Sequence, residues 1–350
     1  MKTVLIWGRG DPGYSRNRIV VRLFTELGWQ VRFFRPFSSQ LGLLHSLWTR
    51  PERPDLIWVP CFRHDDIGSA SFWARKWQVP LVVDPFISSF AKAVLERKKY
   101  PTGSSAAEKL RQREAALLER ADLVFADTRC HADFFVQQLG VRPEKTSVLP
   151  VGAEEELFYP MEWPEDQESI DILFYGSFLR LHGIETIIQA AALCRDLPAR
   201  WTILGDGDLR SGLLQQAAGL ANVSFEPWIP YAELPKRMAR AHILLGIFGD
   251  TPQAARVIPN KVFQSMAISR PVITRTSAAY DGTIGGAEEI GWVEAGDHQG
   301  LAATVRRWLQ NPHQLCERGH RTRQLYETYF SQERLRSILA RSLDRVVLHD

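Results

Sequence analysis

Short apolar runs of strand length alternate along this chain with longer stretches whose apolar positions recur every three or four residues. In the first half the runs fall at Val4–Gly8, Trp29–Phe34, Asp55–Val59, Val79–Asp84, Asp122–Asp127 and Thr146–Val151. Between them Ile19–Leu27, Ser69–Trp77, Ala106–Arg120 and Arg129–Leu139 carry the helical period. Gly28 and Gly140 stand where two of these helices should stop, and Thr128 is placed to cap the last. Strand and helix in alternation predict an α/β fold, a parallel sheet covered on both faces.

The alternation lapses and then restarts. Residues 152–170 are acidic, carry prolines and show no clear period. We take 1–158 as the first domain, 159–170 as the linker and 171–331 as the second domain. In the second domain Asp171–Gly176, Trp201–Gly205, Val223–Glu226, His242–Ile247, Pro271–Arg275 and Gly291–Val293 read as strands. Ile184–Cys194 and Leu301–Leu309 read as helices. The amphipathic stretch Gln332–Val347, within 332–350, is expected to pack back on the first domain. Two doubly wound domains of similar size predict a ligand cleft between them.

Composition narrows the class without naming it. With 350 residues, 45% hydrophobic and 24% charged, the chain reads as a globular protein of two ordinary domains. A net charge of +3 gives no case for nucleic acid. The positive excess sits early, since residues 1–160 hold 23 Lys and Arg against 18 Asp and Glu. That asymmetry suits an anionic substrate or surface. Cys61, Cys130, Cys194 and Cys316 are widely spaced and read as free thiols in a reducing cytoplasm. No signal core and no apolar run of membrane-spanning length is visible.

One stretch concentrates candidate chemistry, Arg256-Val-Ile-Pro-Asn-Lys-Val-Phe-Gln-Ser-Met-Ala. Pro259 biases Ile258 away from helical geometry, so a helix should begin near Asn260, with Asn260 as its cap. Lys261 then falls in the first turn, where the helix dipole disfavours a cation unless an anion joins it. The plain alternative is a lysine whose ammonium stays in water. The loop Gly8–Asn17 follows the first strand at the edge where doubly wound sheets bind ligands. It lacks the third glycine of G-x-G-x-x-G, and a structural turn is the competing reading. Asp206-Gly-Asp208 is read as a turn rather than a metal pair, and no histidine spacing suggests zinc. Leu41–Arg50 and Arg97–Tyr100 lie in the basic half. A basic amphipathic face there would suit anionic lipid, although core packing of the Leu and Trp residues is the preferred reading.

Five stretches, one of them within the Arg256–Ala267 segment, carry a resemblance. Phe174-Tyr-Gly-Ser-Phe-Leu-Arg-Leu-His-Gly-Ile, Ile203-Leu-Gly-Asp-Gly, Phe225-Glu-Pro-Trp-Ile-Pro, Ile258–Ala267 and Pro271-Val-Ile-Thr follow in the order of glycosyltransferase family 4. Leu149-Pro-Val-Gly-Ala-Glu is similar to that family's approach to its linker. The resemblance implies the GT-B fold, with two Rossmann-like domains facing a cleft. It also implies transfer of a sugar from a UDP- or GDP-linked donor, with retention of configuration and no required metal or other cofactor. In such enzymes the second domain holds the donor and the first the acceptor. Carried onto this sequence, Gly176 admits the diphosphate, and Ser177 and His182 stand where the family has Arg and Lys. Arg180, Arg256 and Lys261 are the replacement cations. Gly205, Pro259 and Asn260 border the donor, Ile229 lies by the nucleobase, and Gln264 replaces the glutamate that bonds the ribose. Arg256 stands where the family has its other glutamate. In the first domain Asp84 is placed to orient an acceptor or donor hydroxyl, a plain turn residue before Pro85 being the alternative, while the loop from Gly10 to Arg16 would face the cleft with Arg16 at the donor phosphates. His131 is read as structural.

The resulting expectation is an enzyme with Lys261, Arg180 and Asp84 at the reaction. Its acceptor would be a glycan, lipid-linked or small molecule, in cell-surface polysaccharide synthesis on the cytoplasmic side. The two missing glutamates motivate an alternative, a non-catalytic GT-B scaffold subunit. Another is a different GT-B enzyme, such as a nucleotide-sugar epimerase.

Overall fold

The computed structural model describes residues 1–164 and 169–347; four residues of the expected linker, 165–168, lie outside the described residues. The chain forms two units, one of Met1–Val151 with the chain from Gln332 on, the other of Gly152–Ser331. Residues 152–158, expected with the first domain, belong to the second unit. Their packing explains why. Ala153 and Phe158 are buried, the Ala153 N–H donates to Tyr326 Oη at 3.3 Å, and Tyr326 Oη donates to Glu155 at 3.1 Å.

The first unit holds β1 (Thr3–Trp7), β2 (Gln30–Phe34), β3 (Leu56–Val59), β4 (Leu81–Val83), β5 (Leu123–Ala126) and β6 (Thr146–Val148). They lie in the order β2-β1-β3-β4-β5-β6, all parallel. Every residue of β3, β4 and β5 is buried, as strands covered on both faces require. The covering helices are α1 (Ser15–Glu26), α2 (Gly42–Thr49), α3 (Ile67–Trp77), α4 (Ser105–Leu118) and α5 (Arg129–Leu139). Thr128 caps α5 as expected, its side chain accepting from His131 N. Phe24, Trp58 and Phe125 are buried, and Trp58 packs ring against ring with both at centroid distances of 5.3–5.4 Å.

The second unit holds β7 (Ile170–Tyr175), β8 (Ala199–Leu204), β9 (Val223–Glu226), β10 (Ile243–Leu245), β11 (Val272–Arg275) and β12 (Gly291–Val293). Their order is β12-β11-β10-β7-β8-β9, again parallel. Around them lie α6 (Ile184–Leu193), α7 (Arg210–Gln216), α8 (Leu234–Ala239), α9 (Asn260–Ala267), α10 (His298–Leu309) and α11 (Gln314–Tyr329). Arg270, 1% exposed, ties this unit's entry segment down by donating to the carbonyls of Met161, Ala239 and Ala241.

The last helix, α12 (Gln332–Val347), turns Leu335, Leu339 and Leu343 inward and joins the first unit. Ser342 Oγ lies 2.7 Å from Ser147 Oγ, and Arg336 pairs with Glu26 on α1 at 3.6 Å.

Both sheets have the doubly wound pattern, in which strand order reverses at one point and the carboxyl edge there forms a crevice. The reversal lies between β1 and β3 in the first unit and between β7 and β10 in the second. One expectation about the surface is overturned. The Leu and Trp residues of 41–50 do not pack in the core, because α2 buries Gly42 and Ser46 instead. Among the described residues no helix is long and apolar enough to cross a membrane.

Candidate functional site

In the second unit β7 and β8 both end in glycine, and neither can be replaced cheaply. Gly176 has φ +147°, and a Cβ there would come within 3.2 Å of Lys261 Nζ and 3.3 Å of His182. Gly205 has φ +139°, and its Cβ would lie 2.1 Å from the Gly176 carbonyl oxygen. Backbone therefore floors this part of the carboxyl edge, where the Gly176 and Gly205 N–H groups donate to the Leu204 and Glu226 carbonyls at 3.0 Å.

Above that floor sits the first turn of α9. The helix begins at Asn260 as expected, but Pro259 holds the cap position in extended geometry and no side chain caps the helix. The capping role expected of Asn260 is thus corrected: the residue is already helical, and its side chain is one position too late. Lys261 is 7% exposed. Its Nζ lies 5.0 Å from the Phe174 ring centroid and 5.9 Å from that of Tyr175, a favourable setting for a cation. No carboxylate within the described residues pairs with it. Burial alone pulls the ammonium down to about 7.

The nearest polar neighbour is His182, whose Nε2 is 3.4 Å from Lys261 Nζ. Its Nδ1 contacts the Ser177 carbonyl, which can only accept. That assigns the proton to Nδ1 and leaves Nε2 as acceptor toward the lysine. Burial, and then the charge of Lys261, hold His182 well below its usual range. A neutral imidazole thus steadies a buried cation without neutralising it. Ser177 and Arg180 are exposed beside this turn, and Arg256, Pro259 and Ile229 are half-buried in the flanking loops.

Gln264, one turn along α9, is 3% exposed and committed at both ends of its amide. Tyr175 Oη donates to its Oε1 at 2.7 Å, and its Nε2 donates to Tyr231 Oη at 3.1 Å. Tyr231 in turn donates to Glu154 at 2.6 Å. The two tyrosines fix the amide's orientation, and each of its ends keeps one further hydrogen-bonding valence. Tyr175, Tyr231 and Glu154 were not singled out in the sequence; Tyr175 lay within the Phe-Tyr-Gly run and Glu154 ended the Leu149-Pro-Val-Gly-Ala-Glu run, while Tyr231 gave no signal.

The first unit treats its candidates differently. Arg16 Nε donates to Asp84 at 2.8 Å, and both side chains are at most 1% exposed. Arg16 Nη2 donates to the other Asp84 oxygen at 3.3 Å, and Nη1 donates to the carbonyls of Leu149 (2.6 Å) and Pro150 (2.9 Å). Arg16 as a phosphate contact and Asp84 as a reacting acid are both corrected. They satisfy one another and pin α1 and the ends of β4 and β6 together. Asp127 and His131 form a second buried contact, in keeping with the structural reading of His131. Gly10 lies with Gly8, Asn17, Arg18, Trp58 and Pro60 around a pocket where β1 and β3 end, at the reversal point.

Asp206 accepts from the Gly207 N–H at 2.8 Å, the turn expected of it. Among the described residues no group of three or more His, Cys, Asp or Glu is placed to hold a metal. The four cysteines are free.

Two nucleotide-type crevices in tandem, one floored by glycine and facing a buried lysine, are the architecture of a GT-B glycosyltransferase. Family models agree. Residues 3–152 match the glycosyl transferase 4-like domain, and residues 169–311 match the glycosyl transferases group 1 domain. The chain belongs to glycosyltransferase family 4. It is 31% identical over 113 residues to WcaI of Escherichia coli, a protein named as a colanic acid biosynthesis glycosyl transferase. That match takes in 31% of this chain and 27% of WcaI, so about a quarter of that relative's length is spanned. HepE of Anabaena, solved with UDP, superposes with a TM-score of 0.75 over 98% of this chain and 100% of its own at 17% identity. Sucrose-phosphate synthase of Thermosynechococcus elongatus superposes at 0.76 over 100% of both chains at 18% identity. At such identities the likeness speaks for the fold.

Proposed function

We propose that this glycosyltransferase takes a sugar from a UDP-linked donor whose diphosphate rests on the Gly176–Ser177 backbone against Lys261. One observation carries the reading, the buried Lys261 ammonium that no carboxylate among the described residues neutralises. Departure of the nucleotide concentrates negative charge on the diphosphate, and a preorganised cation in a site poor in water stabilises that charge most. Arg180 and Arg256 supply further positive charge from the turn and loop beside it. The Ile229 backbone borders the nucleobase. Transfer proceeds with retention, the leaving phosphate receiving the acceptor's proton, so no protein base and no metal are required. UDP is preferred over GDP because HepE, of the same fold, was solved with UDP and with UDP-glucose. The name of WcaI supports a glycan or lipid-linked acceptor in cell-surface polysaccharide synthesis at the cytoplasmic side.

Calorimetry with UDP and GDP tests the donor half. UDP binds the native chain, and Lys261→Ala weakens turnover by about 2–4 kcal/mol of transition-state stabilisation. A second reading, a non-catalytic scaffold, is motivated by Arg256 and Gln264 standing in place of two glutamates. Absence of binding by either nucleotide at millimolar concentration decides for it. Release of an altered donor with no transfer would indicate an epimerase.

A further inference from the structure

The helix α2 is built inside out. Its inward positions are small: Gly42 lies against Ser69 of α3, and Ser46, fully buried, accepts from the Trp73 indole at 2.6 Å. Its large apolar residues face away. Leu44 is 65% exposed, Leu47 42% and Trp48 78%, with Leu41 at 56% and Phe37 at 71% just before the helix. The His45 ring stacks on Phe37 at 3.7 Å and lies 6.4 Å from Trp48, so the patch is continuous rather than scattered. A helix that faces water carries polar residues outward. A contiguous apolar patch of this kind marks an interaction site.

Charge indicates what covers it. Arg9 donates to the Phe37 carbonyl at 2.8 Å, Arg50 ends the helix, and Arg35 precedes the patch with its guanidinium over Phe33. All three are exposed. Of the acids nearest in sequence, Glu52 is already paired with Arg32 and Asp11 accepts from the Gly13 N–H. Aromatic and leucine side chains ringed by arginine suit the boundary between acyl chains and anionic headgroups. A protein partner fits less well, since a stable interface draws on roughly 20–30 residues a side and this face is one eight-residue helix with its approach. We infer that the α2 face, with Phe37, Leu44, Leu47 and Trp48 inserted and Arg9, Arg35 and Arg50 at the headgroups, docks this chain on an anionic lipid surface.

Co-sedimentation of the full chain with vesicles tests this independently of nucleotide binding. Phosphatidylcholine vesicles containing phosphatidylglycerol pellet the native chain, and pure phosphatidylcholine vesicles pellet far less. The triple variant Leu44→Ser, Leu47→Ser, Trp48→Ser loses about tenfold or more in vesicle affinity, and Arg35→Gln with Arg50→Gln loses binding most at low salt. Unaltered thermal melting confirms that each variant folds, and Trp48→Ser alone serves if the triple variant does not. Failure of the native chain to pellet, or equal pelleting of native and triple variant, overturns the inference. So does a dimer in sedimentation velocity that the same substitutions dissociate, which would assign the face to a second copy.

Discussion

The two units each bury a cation beneath the carboxyl edge of a parallel sheet, and they do so in opposite ways. Arg16 in the first unit has its guanidinium matched by Asp84 and by two carbonyls. Lys261 in the second has a neutral imidazole and two aromatic faces but, among the described residues, no anion. A charge left uncompensated inside a protein is expensive, so a fold retains one where a ligand completes it. The satisfied pair is scaffold; on the function proposed above, the lysine is the receptor.

Breaking each arrangement should separate them. The largest effect is expected at Asp84→Ala, which strands a fully buried guanidinium and should remove about 3–5 kcal/mol of stability in urea titration. Normal stability with abolished turnover would instead restore Asp84 as a reacting group. Lys261→Met comes next and should move two readouts oppositely. Nucleotide binding falls, with about 2–4 kcal/mol lost from transition-state stabilisation, while folding stability rises by about 1 kcal/mol. A variant that binds UDP normally would end the receptor reading.

The pH dependence sharpens the contrast further. Lys261 is held at about 7, below its usual 10.5. The unfolded chain therefore holds more protons than the folded one between those values, so its contribution makes stability rise with pH across that window. A bound diphosphate raises the lysine again, so binding above pH 7 takes up a proton. UDP affinity should fall by up to about tenfold per pH unit there. Calorimetry in buffers of different ionisation enthalpy counts that proton, and a count of zero contradicts the assignment. The smallest effect is expected for Tyr231→Phe, about 1 kcal/mol in thermal melting from the lost hydrogen bonds to Gln264 and Glu154.

The sheets were legible because strands buried on both faces read as uninterrupted apolar runs; β3 and β5 are examples in which every residue is covered. The helix α11 escaped notice for a related reason. Its inward positions are Leu315, Gly319, Thr322 and Tyr326, correctly spaced for a helix, but two of the four are not apolar. Gly319 is small because a Cβ would lie 2.3 Å from the Ser269 carbonyl oxygen, a constraint that no local pattern records. At the site, Lys261 was found through its place after a proline in a first turn, which is local information. The partners of Gln264 were not, since Tyr175 lies 89 residues away and Tyr231 33. Arg16 and Asp84 are 68 apart, and spacing could suggest their chemistry but not that they would consume each other.

The return of α12 to the first unit also sets a timetable for synthesis. Gly152–Ser331 is a contiguous segment and can fold as a block once it has left the ribosome. The first unit, begun much earlier, must wait for residues 332–347 before Leu335, Leu339 and Leu343 cover its flank. Until then an apolar surface beside α1 stands open, inviting chaperones or aggregation. Fragments that end before Gln332 should accordingly keep a sound second unit and expose an unfinished first one.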